Sequence, residues 1–407
     1  MQSSRLLKRA DQVSALIAAW LERVDDGRRR GVYFFNQPID EIVSPTRVRI
    51  GARELLMLAS YSYLGLIGHP AINAAAQAAI ARYGTGTHGV RLLAGTLDLH
   101  RDLEARLAAF TGREDAITFS SGYVTNLTAI ATLVGRHDVV FCDKLNHASI
   151  VDGCRLSGAR FVRFRHNDMG DLAAKLAQAP AAGTRLVVVD AVFSMDGDII
   201  DLPRLAQVCR DHGAWLMVDE AHSIGVLGAG GHGIEEHFGL PGVIDLKMGT
   251  LSKAIPSVGG YLAGAHDLIH LFRHASRAFI FSAALPPAQA AAALAACDVI
   301  EAEPDRVRTV AQRADQFRTG LQAAGFDTLR SETAIVPVIC GADERAYALT
   351  REAQRRGLFA LPVISPAVPE HLARLRATVT AAHTPADVAM AIDLLTEAGR
   401  AAGILSE

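Results

Sequence analysis

Lys253 stands in the run Gly249-Thr250-Leu251-Ser252-Lys253-Ala254, with Gly259-Gly260 close behind. A lysine that forms a Schiff base must be partly desolvated and must sit near hydroxyl and backbone donors that can hold a phosphate. A Thr-x-Ser-Lys turn after an apolar strand supplies both. A surface lysine in a flexible loop fits the same letters, so the motif alone leaves both readings open. The search for a reactive amine is short, because the only lysines are Lys8, Lys144, Lys175, Lys247 and Lys253.

Some thirty residues earlier, Asp219-Glu220-Ala221-His222 closes another apolar run. A carboxylate there can pair with a protonated ring nitrogen and keep the ring an electron sink, while His222 can reach a phenolic oxygen on the same ring. Asp-x-x-His also occurs as a turn or as half a metal site, but no further His or Cys stands at ligand spacing. Ser120-Ser121-Gly122-Tyr123-Val124-Thr125-Asn126 follows Ala116-Ile117-Thr118-Phe119 and opens a helical pattern. Free N–H groups at such a start bind anions, and the glycine permits close approach. Serine-glycine turns also occur in loops that bind nothing. Asn146-His147-Ala148-Ser149 then offers an imidazole able to stack on a planar cofactor, although a lone histidine is more often structural.

The elements that must position these groups follow from the hydrophobic pattern. From about Ala71 to His266, short β-branched runs alternate with helical periodicity, which predicts crossover units around a mainly parallel sheet. Leu186-Val187-Val188-Val189 ends in Asp190, Trp215-Leu216-Met217-Val218 ends in Asp219, and Ile244 to Gly249 leads into Thr250 to Lys253. Polar groups therefore gather beyond the carboxyl ends of buried strands, where open α/β sheets bind ligands. Helices are expected over Pro287 to Ile300, Asp305 to Ala324 and Ala386 to Gly399, with a strand around Ile335 to Ile339. The chain thus divides into an arm and segment over 1–60, a large α/β domain over 61–285 and a small α+β domain over 286–407. Leu6, Val13, Leu16, Ile17, Trp20, Leu21 and Val24 give the arm an amphipathic helical spacing, and Arg28-Arg29-Arg30 reads as a solvated charge cluster.

Half of the 407 residues are hydrophobic, which is ample for a large core. Lys and Arg total 41 against 43 Asp and Glu, so no charge excess points to nucleic acid or an anionic membrane. The five cysteines form no CxxC pair, which argues against a zinc site and a disulfide framework. The first ten residues lack the apolar core of a secretory signal and no stretch is long enough to span a bilayer, so a cytoplasmic protein is expected.

Taken together, these stretches resemble the α-oxoamine synthases, a branch of fold-type I pyridoxal-phosphate enzymes. The resemblance runs from Tyr63-Leu64-Gly65 to His383-Thr384. It is carried by Gly84-Thr85-Gly86 with Arg91 and Gly95-Thr96, Ser121-Gly122-Tyr123, Asn146-His147-Ala148-Ser149 with Asp152-Gly153, and Phe193-Ser194-Met195-Asp196-Gly197-Asp198. Asp219 to His222, Thr250 to Ala254, Phe281-Ser282 and the Pro369 to Arg376 stretch complete it. It implies a fold-type I transferase that binds pyridoxal 5'-phosphate and joins an amino acid to an acyl thioester, on coenzyme A or an acyl carrier protein, with loss of CO2. Lys253 would be the Schiff-base lysine and proton-transfer group, His147 the ring-stacking residue, Asp219 the partner of the ring nitrogen, and Ser194 and His222 the groups near the ring oxygen. Ser121, Gly122, Tyr123, Thr250 and Ser252 would hold the cofactor, with Ser282 reaching the phosphate from the second subunit of a homodimer. Arg374 would grip the amino-acid carboxylate.

The sequence departs from the commoner family pattern on the substrate side. Tyr61-Ser62 replaces a frequent asparagine pair, Pro256 and Ser257 stand where glycine is common, Ala334 replaces a proline and Ala367 a threonine. With His88 in the glycine-rich loop, Tyr61 and Ser62 are expected near the substrate, and alanine or serine is expected ahead of glycine, with a medium or long acyl chain. Transamination and retro-aldol cleavage on the same fold are the enzymatic rivals. A non-catalytic partner subunit is the rival of another class, and it would be expected to lack Lys253.

Overall fold

The computed structural model describes residues 11–180 and 182–406. The apolar runs form a seven-stranded sheet in the order Asp115–Phe119, Pro256–Gly264, Leu246–Ser252, Trp215–Asp219, Arg185–Asp190, Val139–Asp143, Arg160–Phe164. Only Pro256–Gly264 runs against the others. Because side chains alternate across a strand, each run feeds two cores. Val187, Val189 and Val218 face a core shared with the helices Pro70–Tyr83, Asp98–Thr111 and Pro287–Ala302. Leu186, Val188 and Met217 face the other, built with the helices Gly122–Leu133, Ala148–Ser157 and His266–Ala275.

Strand register brings the expected carboxylates together. Asp190 lies opposite Asp219, which in turn lies opposite Met248. The polar ends of three adjacent strands thus share one edge of the sheet.

The expected C-terminal strand and helices form as Ile335–Gly341, Pro287–Ala302, Asp305–Ala323 and Pro385–Ala401. Ile335–Gly341 pairs antiparallel with Ala373–Thr378, which also pairs with Pro362–Val363. The opening segment is tied to this smaller unit: Glu41–Ser44, Arg47–Ile50 and Arg53–Met57 make a sheet whose fourth strand is Leu358–Phe359. The link continues past it, since Thr378 N donates to Leu58 O and Ala381 N to Tyr63 O. Tyr61, Ser62 and Tyr63 therefore run beside the strand that carries Arg374 and Arg376.

The arm forms a helix, Gln12–Arg29, but its apolar stripe is not buried among the described residues. Val13, Leu16, Trp20 and Leu21 are exposed. Leu6 lies outside the described residues. Arg28 and Arg29 are solvated, pairing with Asp25 and Asp26 of the same helix, while Arg30 also reaches Glu344. All five cysteines are buried and free. Among the described residues, no helix is long and apolar enough to cross a membrane.

Candidate active site

A cavity of about 270 Å³ opens at the shared strand edge. Ser121, Gly122, Tyr123, His147, Asp219, His222, Thr250, Ser252 and Lys253 all line it. Alternation along Leu246–Ser252 sends Met248, Thr250 and Ser252 into the cavity, and Lys253 follows at the strand end. The same alternation sends Lys247 to the opposite face, where it is held by Glu235 at 3.0 Å and Glu220 at 3.6 Å. Lys144 is exposed and Lys175 pairs with Asp171, so Lys253 is the one lysine among the described residues that faces the cavity.

The cradle at the helix start is built from backbone. Ser121 caps Gly122–Leu133 by accepting from Val124 N at 3.2 Å, and its carbonyl takes Thr125 N. The amides of Gly122 and Tyr123, in the first turn, have no acceptor within the helix. Opposite them, Thr250 Oγ1 and Ser252 Oγ lie 2.8 Å apart. A Cβ on Gly122 would come within 3.1 Å of Thr250 Oγ1, and one on Gly260 within 2.7 Å of Gly122 Cα. Both glycines are required for this close approach. Free amides facing paired hydroxyls, with a lysine alongside, fit the phosphate and aldehyde of pyridoxal phosphate.

Asp219 is 5% exposed and each of its oxygens accepts one bond, from Asn126 Nδ2 at 2.7 Å and from Ala221 N at 2.9 Å, which leaves acceptor capacity for a further donor. Asn126 also donates to Ser149 Oγ at 2.9 Å, and Ser149 Oγ lies 2.7 Å from His147 Nδ1. A buried network therefore fixes the carboxylate and the imidazole with respect to each other. Asp190 accepts from His147 N at 2.9 Å, and burial next to Asp219 pushes its carboxyl well above the usual range. Burial pushes His147 down, assisted by Lys253 and opposed by Asp219.

On the other wall, Lys253 Nζ lies 2.7 Å from His222 Nε2, and His222 Nδ1 lies 2.6 Å from the Tyr63 hydroxyl. Burial is the main force lowering Lys253 to about 8; Asp219 and Asp190 oppose it and Arg376 adds to it. Burial, then Lys253 and Arg376, hold His222 well below the ordinary imidazole value. Tyr63 is pushed up to about 12 by burial.

The carboxylate role inferred for Arg374 does not fit its surroundings. Its side chain donates to Leu372 O and Met195 O, each at 3.0 Å, and forms an ion pair with Asp196. Asp196 already neutralises that guanidinium. Arg376, two residues on and on the same face of the strand, does not line the cavity itself but is set against Tyr61 and Tyr63, which border Lys253 and His222. It donates to Ser194 O at 2.5 Å, Thr378 Oγ1 at 3.2 Å and Tyr63 Oη at 3.4 Å, and its Cζ lies 4.7 Å from the Tyr61 ring. Three of its five N–H donors are thereby used. Among the described residues no carboxylate pairs with it, although it is only 6% exposed.

The remaining expected residues fall in two groups. Tyr61 sits beside the site, its ring 5.9 Å from Lys253 Nζ, and Ser62 is buried with its Oγ unpartnered. Ser194 contributes its carbonyl to Arg376 and does not line the cavity. His88 and Ser282 also lie outside the cavity of their own chain. They belong to neighbouring segments, joined by a bridge between Val90 and Ala283 and a bond from Ala284 N to Gly89 O. Among the described residues, no group of three or more His, Cys, Asp or Glu side chains could hold a metal.

Comparison with known proteins agrees with this geometry. Residues 53–395 match the model of the family described as aminotransferase class I and II. The chain is 48% identical over 362 residues to an 8-amino-7-oxononanoate synthase of Geobacter sulfurreducens, covering 88% of this chain and 93% of that one. It is 39% identical over 383 residues to a serine palmitoyltransferase of Sphingobacterium spiritivorum, covering 94% and 96%. The chain belongs to the α-oxoamine synthase branch of the class I and II aminotransferase family. Members of this family depend on pyridoxal phosphate, and the chain is a pyridoxal-phosphate-dependent acyltransferase. A solved structure described as SPT with PLP internal aldimine superposes with a TM-score of 0.94 at 35% identity, covering 97% of this chain and all of that one.

The sequence motifs alone do not single out Tyr63, Asn126 and Arg376 as functional groups, although all three stand inside motifs that carry the site. What was missing was the long-range pairing that aims them.

Proposed function

We propose that this enzyme condenses alanine or serine, ahead of glycine, with a medium or long acyl thioester, releasing CO2 and forming an α-amino ketone. The observation that carries the reading is the buried Arg376 guanidinium, uncompensated by any carboxylate of the described residues and stacked against Tyr61 beside Lys253. A buried charge of this kind calls for an anion, and an amino-acid carboxylate meets its two remaining N–H donors.

When bound, pyridoxal phosphate supplies an electron sink for charge developing at the amino acid's α-carbon. The chain's own residues do the rest. Gly122 and Tyr123 amides with the Thr250 and Ser252 hydroxyls would hold the phosphate, and Asp219, pinned by Asn126, would hold the protonated ring nitrogen, with His147 as the aromatic residue beside the ring. Lys253, lowered to about 8 mainly by burial, is neutral in about a tenth of molecules at pH 7 and in more as pH rises, and it takes and returns the proton at the α-carbon. Arg376 clamps the carboxylate, which fixes the amino acid's orientation before the acyl donor arrives.

Tyr61 supports the choice among amino acids. Its ring is close to both the amine, at 5.9 Å, and the guanidinium, at 4.7 Å, so a β-carbon held between those two groups would meet aromatic surface where glycine offers nothing, a gain of about 0.8 kcal/mol per methylene-sized group. The two relatives' names fit amino acids larger than glycine: one specifies serine, and an 8-amino-7-oxononanoate carries a methyl group on its amine carbon. In a cytoplasmic homodimer, the segments holding His88 and Ser282 would face the partner's cavity, and the exposed stripe of the arm helix would be covered. The test is a series of catalytic efficiencies for glycine, alanine and serine against acyl thioesters of increasing length. A ratio of roughly 4-fold or more for alanine or serine over glycine is expected, the factor to which about 0.8 kcal/mol converts. Preference for glycine with acetyl-coenzyme A would overturn the substrate reading and leave the family intact.

A further inference from the structure

Tyr63 touches neither the cradle nor the carboxylate network, yet it is 1% exposed and bonded at both ends of its hydroxyl. Its oxygen lies 2.6 Å from His222 Nδ1 and 3.4 Å from Arg376 Nη2, while His222 Nε2 lies 2.7 Å from Lys253 Nζ. Four side chains from three distant parts of the sequence thus form one line from Arg376 to the reactive amine.

A neutral imidazole donates from one nitrogen and accepts at the other, and the bond at one nitrogen fixes the role of the other. Two arrangements are open. In one, the Tyr63 O–H donates to Nδ1 and the Nε2 proton points into the cavity. In the other, an Nδ1 proton donates to the Tyr63 oxygen and Nε2 accepts from the cavity side.

Arg376 separates them. A guanidinium can only donate, so its contact with Tyr63 occupies a lone pair of the phenol oxygen. In the second arrangement that oxygen receives two donors, and its own buried O–H needs a further acceptor. Among the described residues none is recorded, so the group would bear its full desolvation cost. In the first arrangement every member is satisfied once Lys253 is neutral or bonded to the cofactor, because an ammonium there could only donate.

We propose that Tyr63, steadied by Arg376, is a positioning residue that fixes His222 as its Nε2–H tautomer, so that the histidine always presents a donor to the group beside Lys253. The consequence is chemical. A ring oxygen bearing negative charge is met by a donor, and the free amine of Lys253 is met by an N–H that pairs with its neutral form. Burial keeps the imidazole itself neutral, so the tautomer is the only variable left to set. The inference rests on reading the cavity as the pyridoxal-phosphate site.

The experiment uses holoenzyme labelled with ¹⁵N-histidine, with His222 assigned by difference from His222→Gln and long-range ¹⁵N–¹H correlation reporting both ring nitrogens. The expected result is an unprotonated, pyridine-type Nδ1 and a protonated Nε2 in the wild type. Tyr63→Phe, still showing the cofactor's visible absorption, should lose the pyridine-type Nδ1 signal or mix it with the other tautomer. A protonated Nδ1 in the wild type overturns the proposal, and so does a tautomer unchanged in Tyr63→Phe. If Tyr63→Phe fails to fold, the wild-type assignment decides, supported by Arg376→Gln, which should broaden or mix the same signals. Failure of the cofactor reading is distinguishable, because it leaves no visible absorption in any variant.

Discussion

Replacing Arg376 by glutamine and, separately, Arg374 by glutamine should separate substrate binding from stability. Arg376 is buried beside Tyr61 and Tyr63 with no carboxylate partner among the described residues, so its removal eliminates an uncompensated charge. Folding stability should change by no more than about 1 kcal/mol, since buried ionic groups are often replaced without loss. Binding should suffer instead. Two charge-assisted bonds to a carboxylate are lost, together worth about 3 kcal/mol, so amino-acid affinity should fall roughly 100-fold or more. Arg374→Gln should do the reverse. It strands Asp196, whose side chain is 20% exposed, and breaking a buried pair costs about 3–5 kcal/mol, with the lower end appropriate to that exposure. The assay pairs a spectrophotometric titration of the cofactor band with serine or alanine against urea unfolding of the same variants. If Arg374→Gln abolishes amino-acid binding at undiminished stability while Arg376→Gln binds normally, the carboxylate belongs to Arg374 and the argument from counter-ions is wrong.

Other perturbations probe the scaffold around the site. His166 bridges Asp143 at 3.0 Å and Asp198 at 2.8 Å; burial opposes its charge, but the two carboxylates overcome it and raise it to about 10. Its contribution to stability should be complete below about pH 6.5 and fade as pH rises toward 10; an unfolding free energy that falls across that window in the wild type but not in His166→Asn is expected, with the variant costing about 1.5–3 kcal/mol at neutral pH. Asn126→Ala removes the amide that holds Asp219 and should weaken cofactor retention on dialysis, since an unpaired buried carboxylate oxygen costs about 1–3 kcal/mol. Gly260→Ala puts a Cβ against the Gly122 backbone and should abolish cofactor uptake while far-ultraviolet circular dichroism stays native. Because Lys253 must be neutral to attack an aldehyde, the rate of pyridoxal-phosphate uptake by apoenzyme should rise with pH and level off above about 8; a flat profile from pH 6 to 9 would contradict the burial argument.

The residues proposed to hold the cofactor are legible in the sequence because each sits at the end of an apolar run, and a strand end in an open parallel sheet has a predictable place. Asp219, Lys253 and the Ser121-Gly122 turn needed no knowledge of distant contacts. Arg374 and Arg376 show the limit. Separated by two positions on one strand, they share a face, and only the pairing of Arg374 with Asp196 distinguishes it from Arg376, which is set against Tyr61 and Tyr63 without a carboxylate partner among the described residues. Tyr63 was hidden for a similar reason: its value comes from lying beside Arg376 and His222, 313 and 159 residues away in the chain. The arm helix was legible as a helix, yet where its apolar stripe is buried depends on a surface that periodicity does not specify.

The claim on which the account depends is that Lys253, alone among the lysines, is the amine that bonds pyridoxal phosphate. Borohydride reduction of the holoenzyme followed by peptide mapping tests it directly. The account predicts a pyridoxyl label on the peptide containing Lys253 and on no other, with Lys253→Ala unlabelled. A label on Lys247 or Lys144 would contradict it.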